Sequence, residues 1–286
     1  MRCLVLGCNG MLGRRVVEAF AAHGHELCAM DLPEVDITDP QSVEAALRFD
    51  PQWVINCAAY TAVDQAEDQP DAAMRVNAQG PRVLAAALAE RSTRLLHIST
   101  DYVFDGTKPG PYCEDDRPQP LGAYARSKLA GETALSVLGQ RATIVRTAWL
   151  YGPDGGHFFR TIVRLARERG ELSVVEDQRG TPTLSNDLAA AILELCRSGR
   201  SGLFHATNSG VTTWYEAAKT CCEILGINIT IRPVKSSQMP RKAPRPANSE
   251  LCCDRLAAAL GGPLRPWREA LECYLTKLEP ALRENK

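Results

Sequence analysis

The run Arg2-Cys3-Leu4-Val5-Leu6 is short, apolar and closed by Gly7, and Gly7-Cys8-Asn9-Gly10-Met11-Leu12-Gly13 then opens an amphipathic segment reaching about His23. An apolar run of this length bounded by glycine predicts a buried strand, and the helical periodicity after it predicts a helix. The three glycines allow a tight turn, close approach of backbone to a bound group, and close packing of helix on strand. A helix N-terminus carries free amides and the positive end of the helix dipole, so the turn predicts a seat for a pyrophosphate. The spacing is Gly-x-x-Gly-x-x-Gly rather than Gly-x-Gly-x-x-Gly, and a glycine-rich turn holding no ligand is the plain alternative.

The alternation of strand and helix continues. Glu26–Met30 reads as a second strand ending at Asp31, close to where a dinucleotide fold places its ribose-binding carboxylate. Asp31 can accept hydrogen bonds from the 2′- and 3′-hydroxyls and would repel a 2′-phosphate, which makes NADH at least as good a fit as NADPH. Arg14 and Arg15, just past the glycines, offer a counter-charge to that phosphate or are simply solvated, so the coenzyme stays open. Asp36-Ile37 are placed to touch an adenine or to form an ordinary turn. Asp39-Pro40 predicts a capped helix through Val43, Ala46 and Leu47. A buried strand from Trp53 to Ala59 ends in small residues, as a flat cofactor requires, with Tyr60-Thr61 at the crevice. A helix carrying Asn77 is expected from Asp71 to Gln79, continuing from Pro81 toward Arg91. The strand Leu95–Thr100 ends in two hydroxyls followed by Asp101. A hydroxyl there either donates to a substrate carbonyl on which negative charge develops or caps a turn.

A loop rich in glycine, proline and acid, from Phe104 to Leu121, delivers the chain to Tyr124-Ala125-Arg126-Ser127-Lys128. On a helix this spacing puts the phenol and the ammonium on one face. A neighbouring cation favours the phenolate and is expected to bring the tyrosine pKa down from its ordinary ~10. The pair reads as an acid/base couple or as an ordinary surface pair. Ala142–Arg146 is a further strand, so this half predicts an α/β fold: a doubly wound parallel (Rossmann) sheet with a smaller C-terminal α/β substrate domain. The expected division is 1–150, completed by 180–206, for NAD(P) binding, with 151–179 and 207–286 as the substrate domain.

The later chain is more mixed. Helices are expected over Phe158–Arg169, Asn186–Cys196 and Trp267–Leu278, with strands at Leu172–Val175 and Leu203–Ala206. Thr213-Trp214-Tyr215-Glu216 is a capping box opening a helix through Leu225. The basic, proline-rich Arg241–Pro246 cannot be a regular helix; it covers a diphosphate or is a solvated loop, the latter being the better bare reading.

A formal net charge of −1, with 23% charged residues, provides no field to attract nucleic acid or an acidic membrane. The apolar helical runs are far shorter than the roughly 20 residues of a membrane span. The start of the chain shows no cationic and apolar leader, so a cytoplasmic location is expected. The 11 cysteines form no Cys-x-x-Cys and the five histidines no His-Glu-x-x-His. No metal site is expected, although the need for a divalent ion is not decided by sequence, and the cysteines should be reduced.

Gly7/Gly10/Gly13, Ser99-Thr100-Asp101 and Tyr124-x-x-x-Lys128, standing in this order, resemble the extended short-chain dehydrogenase/reductase superfamily. Within it the chain is similar to the dTDP-4-dehydrorhamnose reductase family, on Asn56–Asp64, Ser99–Phe104, Tyr124–Glu132, Arg146–Tyr151, Asp177–Thr183 and Arg245–Ser249. The resemblance implies catalysis by Thr100, Tyr124 and Lys128. It implies a cofactor, NADPH or NADH, lined by Gly7, Gly10, Met11, Leu12, Gly13, Asp31, Asp36, Ile37, Ala59, Tyr60, Thr61 and Ile98 together with Tyr124 and Lys128. Thr100, Asp101, Trp149, Arg245 and Asn248 would contact a dTDP-sugar. Related dehydratases carry Asp-Glu after the threonine, whereas Asp101 is followed here by Tyr102, which implies reduction rather than dehydration. The competing implication is a cofactor-binding regulatory subunit similar to methionine adenosyltransferase beta; another nucleotide-sugar reductase or epimerase is a third. A homodimer is the assembly considered, and the sequence does not fix it.

Overall fold

The computed structural model describes residues 1–278. Its centre is a six-stranded sheet of β1 (Arg2–Leu6), β2 (Glu26–Met30), β3 (Trp53–Asn56), β4 (Arg94–Thr100), β5 (Ala142–Thr147) and a sixth strand, Gly202–His205. All neighbouring pairs run parallel. β1 lies between β2 and β3, and β4, β5 and Gly202–His205 follow outward on the β3 side. Alternate residues face opposite layers: Cys3 and Val5 join Val16, Phe20 and Ile192, while Leu4 and Leu6 join Val43, Leu84 and Leu88. Because β1 is covered on both faces, it reads as a continuous apolar run instead of an alternating one. The strand order reverses between β1 and β3, and the carboxyl ends there diverge into the crevice that such sheets use for ligands. This is the doubly wound α/β arrangement expected from the sequence.

Local signals placed the elements well. The helix Met11–Ala22 follows the glycine turn, and Asp39 caps Pro40–Ala46 by accepting from the Gln41 amide at 3.0 Å. The expected helix beyond Asp71 is Pro70–Met74, a wide π turn over Arg75–Gln79, and Gly80–Ala87. β3 stops at Asn56, three residues before the expected end at Ala59; Cys57 still donates to the Leu6 carbonyl at 2.9 Å, and Ala58 passes close against Gly7.

The second half builds its own core. Helices Phe158–Glu168, Trp214–Leu225 and Trp267–Cys273 pack around Tyr151, Phe159, Cys221, Leu271 and Tyr274. The strands Glu171–Val175 and Thr230–Val234 pair in parallel with Leu172 opposite Ile231. The capping box forms its forward bond, Thr213 accepting from the Glu216 amide at 3.2 Å. The last expected helix divides into Trp267–Cys273 and a π turn, Tyr274–Leu278. Two elements cross the expected boundary: the helix Asp254–Leu260 places Leu256 in the cluster of Phe204 and Ile192, and the short strand Thr183–Leu184 places Leu184 in the second core. All 11 cysteines are free thiols, and burial pushes Cys3 up to about 11. Among the described residues no helix is long and apolar enough to cross a membrane.

Candidate active site

Two adjoining clefts follow the carboxyl ends of the sheet. One, of about 510 Å³, runs from Gly10–Gly13 past Ile98, Thr100, Tyr124 and Lys128 to Trp149 and Trp214. The other, of about 280 Å³, runs from Gly7 to Asp31, Asp36 and Ile37. Every residue assigned to the cofactor from sequence lies on one of these walls.

The glycine turn is packed too closely to accept side chains. Gly7 has φ +76°, and a Cβ there would stand 2.5 Å from the Ala58 nitrogen; one on Gly13 would stand 2.1 Å from the Gly7 oxygen. A side chain on Gly7 would collide with the Cys57–Ala58 backbone, and one on Gly13 would push the helix off the turn. Gly10, at the head of Met11–Ala22, makes no side-chain cap, so the first-turn amides are left for a ligand. Asp31 accepts from the Asn9 amide through one oxygen and from the Leu32 amide through the other, both at 2.9 Å, and each oxygen retains a lone pair for a ribose hydroxyl. Arg15 pairs with Asp154 at 2.8 Å, and Arg14 donates to the Asn9 carbonyl at 3.0 Å. Neither arginine lines the Asp31 cleft, whose wall carries Asp31 and Asp36 but no cation.

The groups that the resemblance assigns to catalysis are set by the end of β4 and the helix Ala123–Ala134. Thr100 donates to Asp101 Oδ1 at 3.0 Å and accepts from the Tyr102 amide at 3.2 Å, so it caps a turn and faces the cleft at once. Burial pushes Tyr124 up to about 12, the Thr100 hydrogen bond opposes this, and the Asp101 charge adds to it. Burial also raises Asp101 to about 6. Lys128 does not lower the phenol as the helical spacing suggested. Its ammonium nitrogen turns away into the fold, donating to the Ile98 carbonyl at 2.6 Å and lying 3.4 Å from His97 Nε2. Sharing a helix face fixed the two backbones; the long lysine stem decided where the charge went.

Asn77, noted in sequence only as part of a helix, holds the site together. Its π turn brings the amide inward, where it accepts from the Tyr60 nitrogen at 2.8 Å and donates to the Tyr60 carbonyl and Ser127 Oγ at 3.0 Å. Thus the crevice segment Ala59-Tyr60-Thr61 is tied to the Tyr124 helix, the kind of local service for which π turns recur at functional sites. Sequence reasoning also passed over Trp214, which stacks on Trp149 with ring centres 3.5 Å apart and planes at 10°. The capping box marked its helix, and nothing local marked its partner. Trp149 itself has φ +48°, an uncommon backbone for a bulky residue, which aims its indole at the far end of the larger cleft.

Arg245 and Asn248 are placed elsewhere. Arg245 pairs with Asp64 at 3.0 Å and lies over the Tyr102 ring, while Lys242 pairs with Asp68. Residues 242–245 therefore form a strap held to the segment after β3, and do not line the cleft. Asn248 is buried, with its amide spent on the Lys108 and Gly110 carbonyls and its oxygen on the Glu250 amide. It pins the Phe104–Leu121 loop. Proximity in sequence to a basic segment does not show which acid neutralises it. If the resemblance holds and the cleft takes a dTDP-sugar, Trp149→Ala should raise its KM roughly 2- to 10-fold, the size of an aromatic contact. Arg245→Ala should change dTDP affinity less. Calorimetry with dTDP decides, and the reverse ranking would move the substrate wall to the strap. Among the described residues no group of three or more His, Cys, Asp or Glu could hold a metal ion.

The family model described as RmlD substrate binding domain matches residues 1–279. The chain belongs to the dTDP-4-dehydrorhamnose reductase family. A dTDP-4-dehydrorhamnose reductase of Mycolicibacterium smegmatis is 44% identical over 275 residues, 95% of this chain and 84% of that one. A dTDP-4-keto-6-deoxy-D-glucose reductase of Streptomyces niveus is 44% identical over 273 residues, 94% of this chain and 95% of that one. The crystal structure of a Bacillus anthracis dTDP-4-dehydrorhamnose reductase in complex with NADP superposes with a TM-score of 0.92 at 37% identity, covering 96% of this chain and 99% of that one.

Proposed function

We propose that this chain reduces the C4 keto group of dTDP-4-dehydro-6-deoxy-L-mannose to give dTDP-L-rhamnose, with NADPH or NADH as hydride donor. The observation that carries the reading is the convergence of Thr100 and Tyr124 on one cleft that also contains the uncapped helix N-terminus and Trp149. The bound nicotinamide would supply the hydride. Tyr124, held up at about 12, is a protonated donor throughout the neutral range, as reduction of a ketone requires. Its proton goes to the C4 oxygen as the alkoxide forms, and Thr100 stands beside it to steady the developing charge. Lys128, on the same cleft wall, would take the ribose hydroxyls. Trp149 would cover the sugar nucleotide, with Asp101 beside it. Residues 1–150 with 180–206 would bind the cofactor and 151–179 with 207–286 the sugar nucleotide, 279–286 lying outside the described residues. The formal net charge of −1 gives no broad field to draw nucleic acid, consistent with an enzyme whose partner is a small sugar nucleotide.

The test is coenzyme oxidation by purified protein with and without the L-manno substrate. Oxidation only with it supports the reading. Oxidation confined to dTDP-4-dehydro-6-deoxy-D-glucose would reassign the sugar, and no oxidation with either would favour the regulatory-subunit alternative. The acidic wall at Asp31 favours NADH. Asp31→Ala should weaken NADH roughly 10-fold, the scale of a hydrogen bond to a charged group, and shift preference toward NADPH. An unchanged coenzyme ratio in fluorescence titrations would take Asp31 off the ribose.

A further inference from the structure

The nitrogen of Lys128 faces a side chain whose proton position is fixed by its other neighbours. Asn56, fully buried at the end of β3, accepts from the Ala58 amide through Oδ1 at 3.1 Å. An amide N–H can only donate, so this bond orients the asparagine and turns its Nδ2 toward His97 Nδ1, 3.1 Å away. Nδ1 must then be the acceptor, and the one proton of a neutral imidazole sits on Nε2. His97 is neutral: it is 1% exposed, and burial together with the neighbouring Lys128 charge holds it well below the ordinary histidine range. Its Nε2 lies 3.4 Å from Lys128 Nζ, which in turn donates to the Ile98 carbonyl at 2.6 Å.

We propose that His97 is a positioning residue for Lys128: locked by Asn56 with its proton on Nε2, it presents an N–H to the lysine nitrogen and favours the neutral amine. Donors and acceptors then run in one direction, from the Ala58 amide through Asn56, His97 and Lys128 to the Ile98 carbonyl. An ammonium in the same place would set N–H against N–H. The other groups facing Lys128 are Glu132 on its own helix and Cys57 beyond β3, both of which favour the cation, yet burial outweighs them and brings the lysine down to about 8. Glu132 is itself neutralised by Arg146 at 2.6 Å. The consequence is a lysine able to gain or lose a proton near neutral pH, beside a tyrosine that must be reprotonated in every turnover. Because only the protonated lysine has a proton to give toward that reprotonation, turnover should fall as pH rises through the lysine pKa.

Two measurements on the full chain test this, and only the second rests on the reductase reading. In protein labelled with ¹⁵N in its histidine rings, the His97 signals, assigned through ring couplings, should show a protonated Nε2 and a bare Nδ1 at neutral pH. A proton on Nδ1 would overturn the proposal whether or not the protein is a reductase. In the second, His97→Gln replaces the fixed N–H by an amide free to turn its oxygen to the ammonium. The basic limb of the kcat profile should move up by about one pH unit, a tenfold change in proton affinity. A lower kcat with an unmoved limb would make His97 merely structural.

Discussion

Tyr124→Phe should lower turnover roughly 10²- to 10⁴-fold, the usual share of a general acid, and leave coenzyme affinity nearly intact. The substitution removes one hydroxyl from a half-buried ring that Tyr102 meets edge-on at 5.9 Å, so the packing of the site is preserved. What is lost is the proton delivered to the C4 oxygen and the hydrogen bond with Thr100. Since burial keeps the phenol up at about 12, its own titration should not limit turnover anywhere in the neutral range. Steady-state rates with the sugar nucleotide, paired with a coenzyme titration of the same variant, are the measurement. Near-normal turnover would remove Tyr124 from the mechanism.

Glu132→Ala should destabilise the fold by about 3–5 kcal/mol, because it leaves a buried guanidinium without its counter-ion. Glu132 accepts from Arg146 Nε at 2.9 Å and Nη2 at 2.6 Å, and from Ser99 Oγ at 2.5 Å. The side chains of Arg146 and Glu132 are 3% and 7% exposed. Water can therefore do little to replace the lost carboxylate. The figure is the cost of breaking the pair, not what the pair contributes over an apolar replacement. Urea unfolding would read it, and a loss under about 1 kcal/mol would mean that water reaches Arg146 after all. Because Glu132 also favours the Lys128 cation, the variant should carry a further depressed lysine.

Much of this was legible locally. The glycine turn, the Asp39 and Thr213 caps, the alternation of strand and helix and the spacing of Tyr124 and Lys128 are settled by steric and hydrogen-bonding rules that act over a few residues. Such rules work before the chain has a tertiary structure, so sequence alone determined the strand–turn–helix seat and which residues end the strands. Tertiary structure decided the rest. It sent the lysine nitrogen to the Ile98 carbonyl and His97 instead of to the phenol, joined Trp149 to Trp214, and neutralised Arg245 with Asp64. Each of these outcomes depends on groups far apart in the chain meeting in a desolvated place, where the cost of an unpaired charge or donor selects one partner among many. No local pattern records that selection, because the partners are neighbours only after the sheet and its flanking helices have assembled.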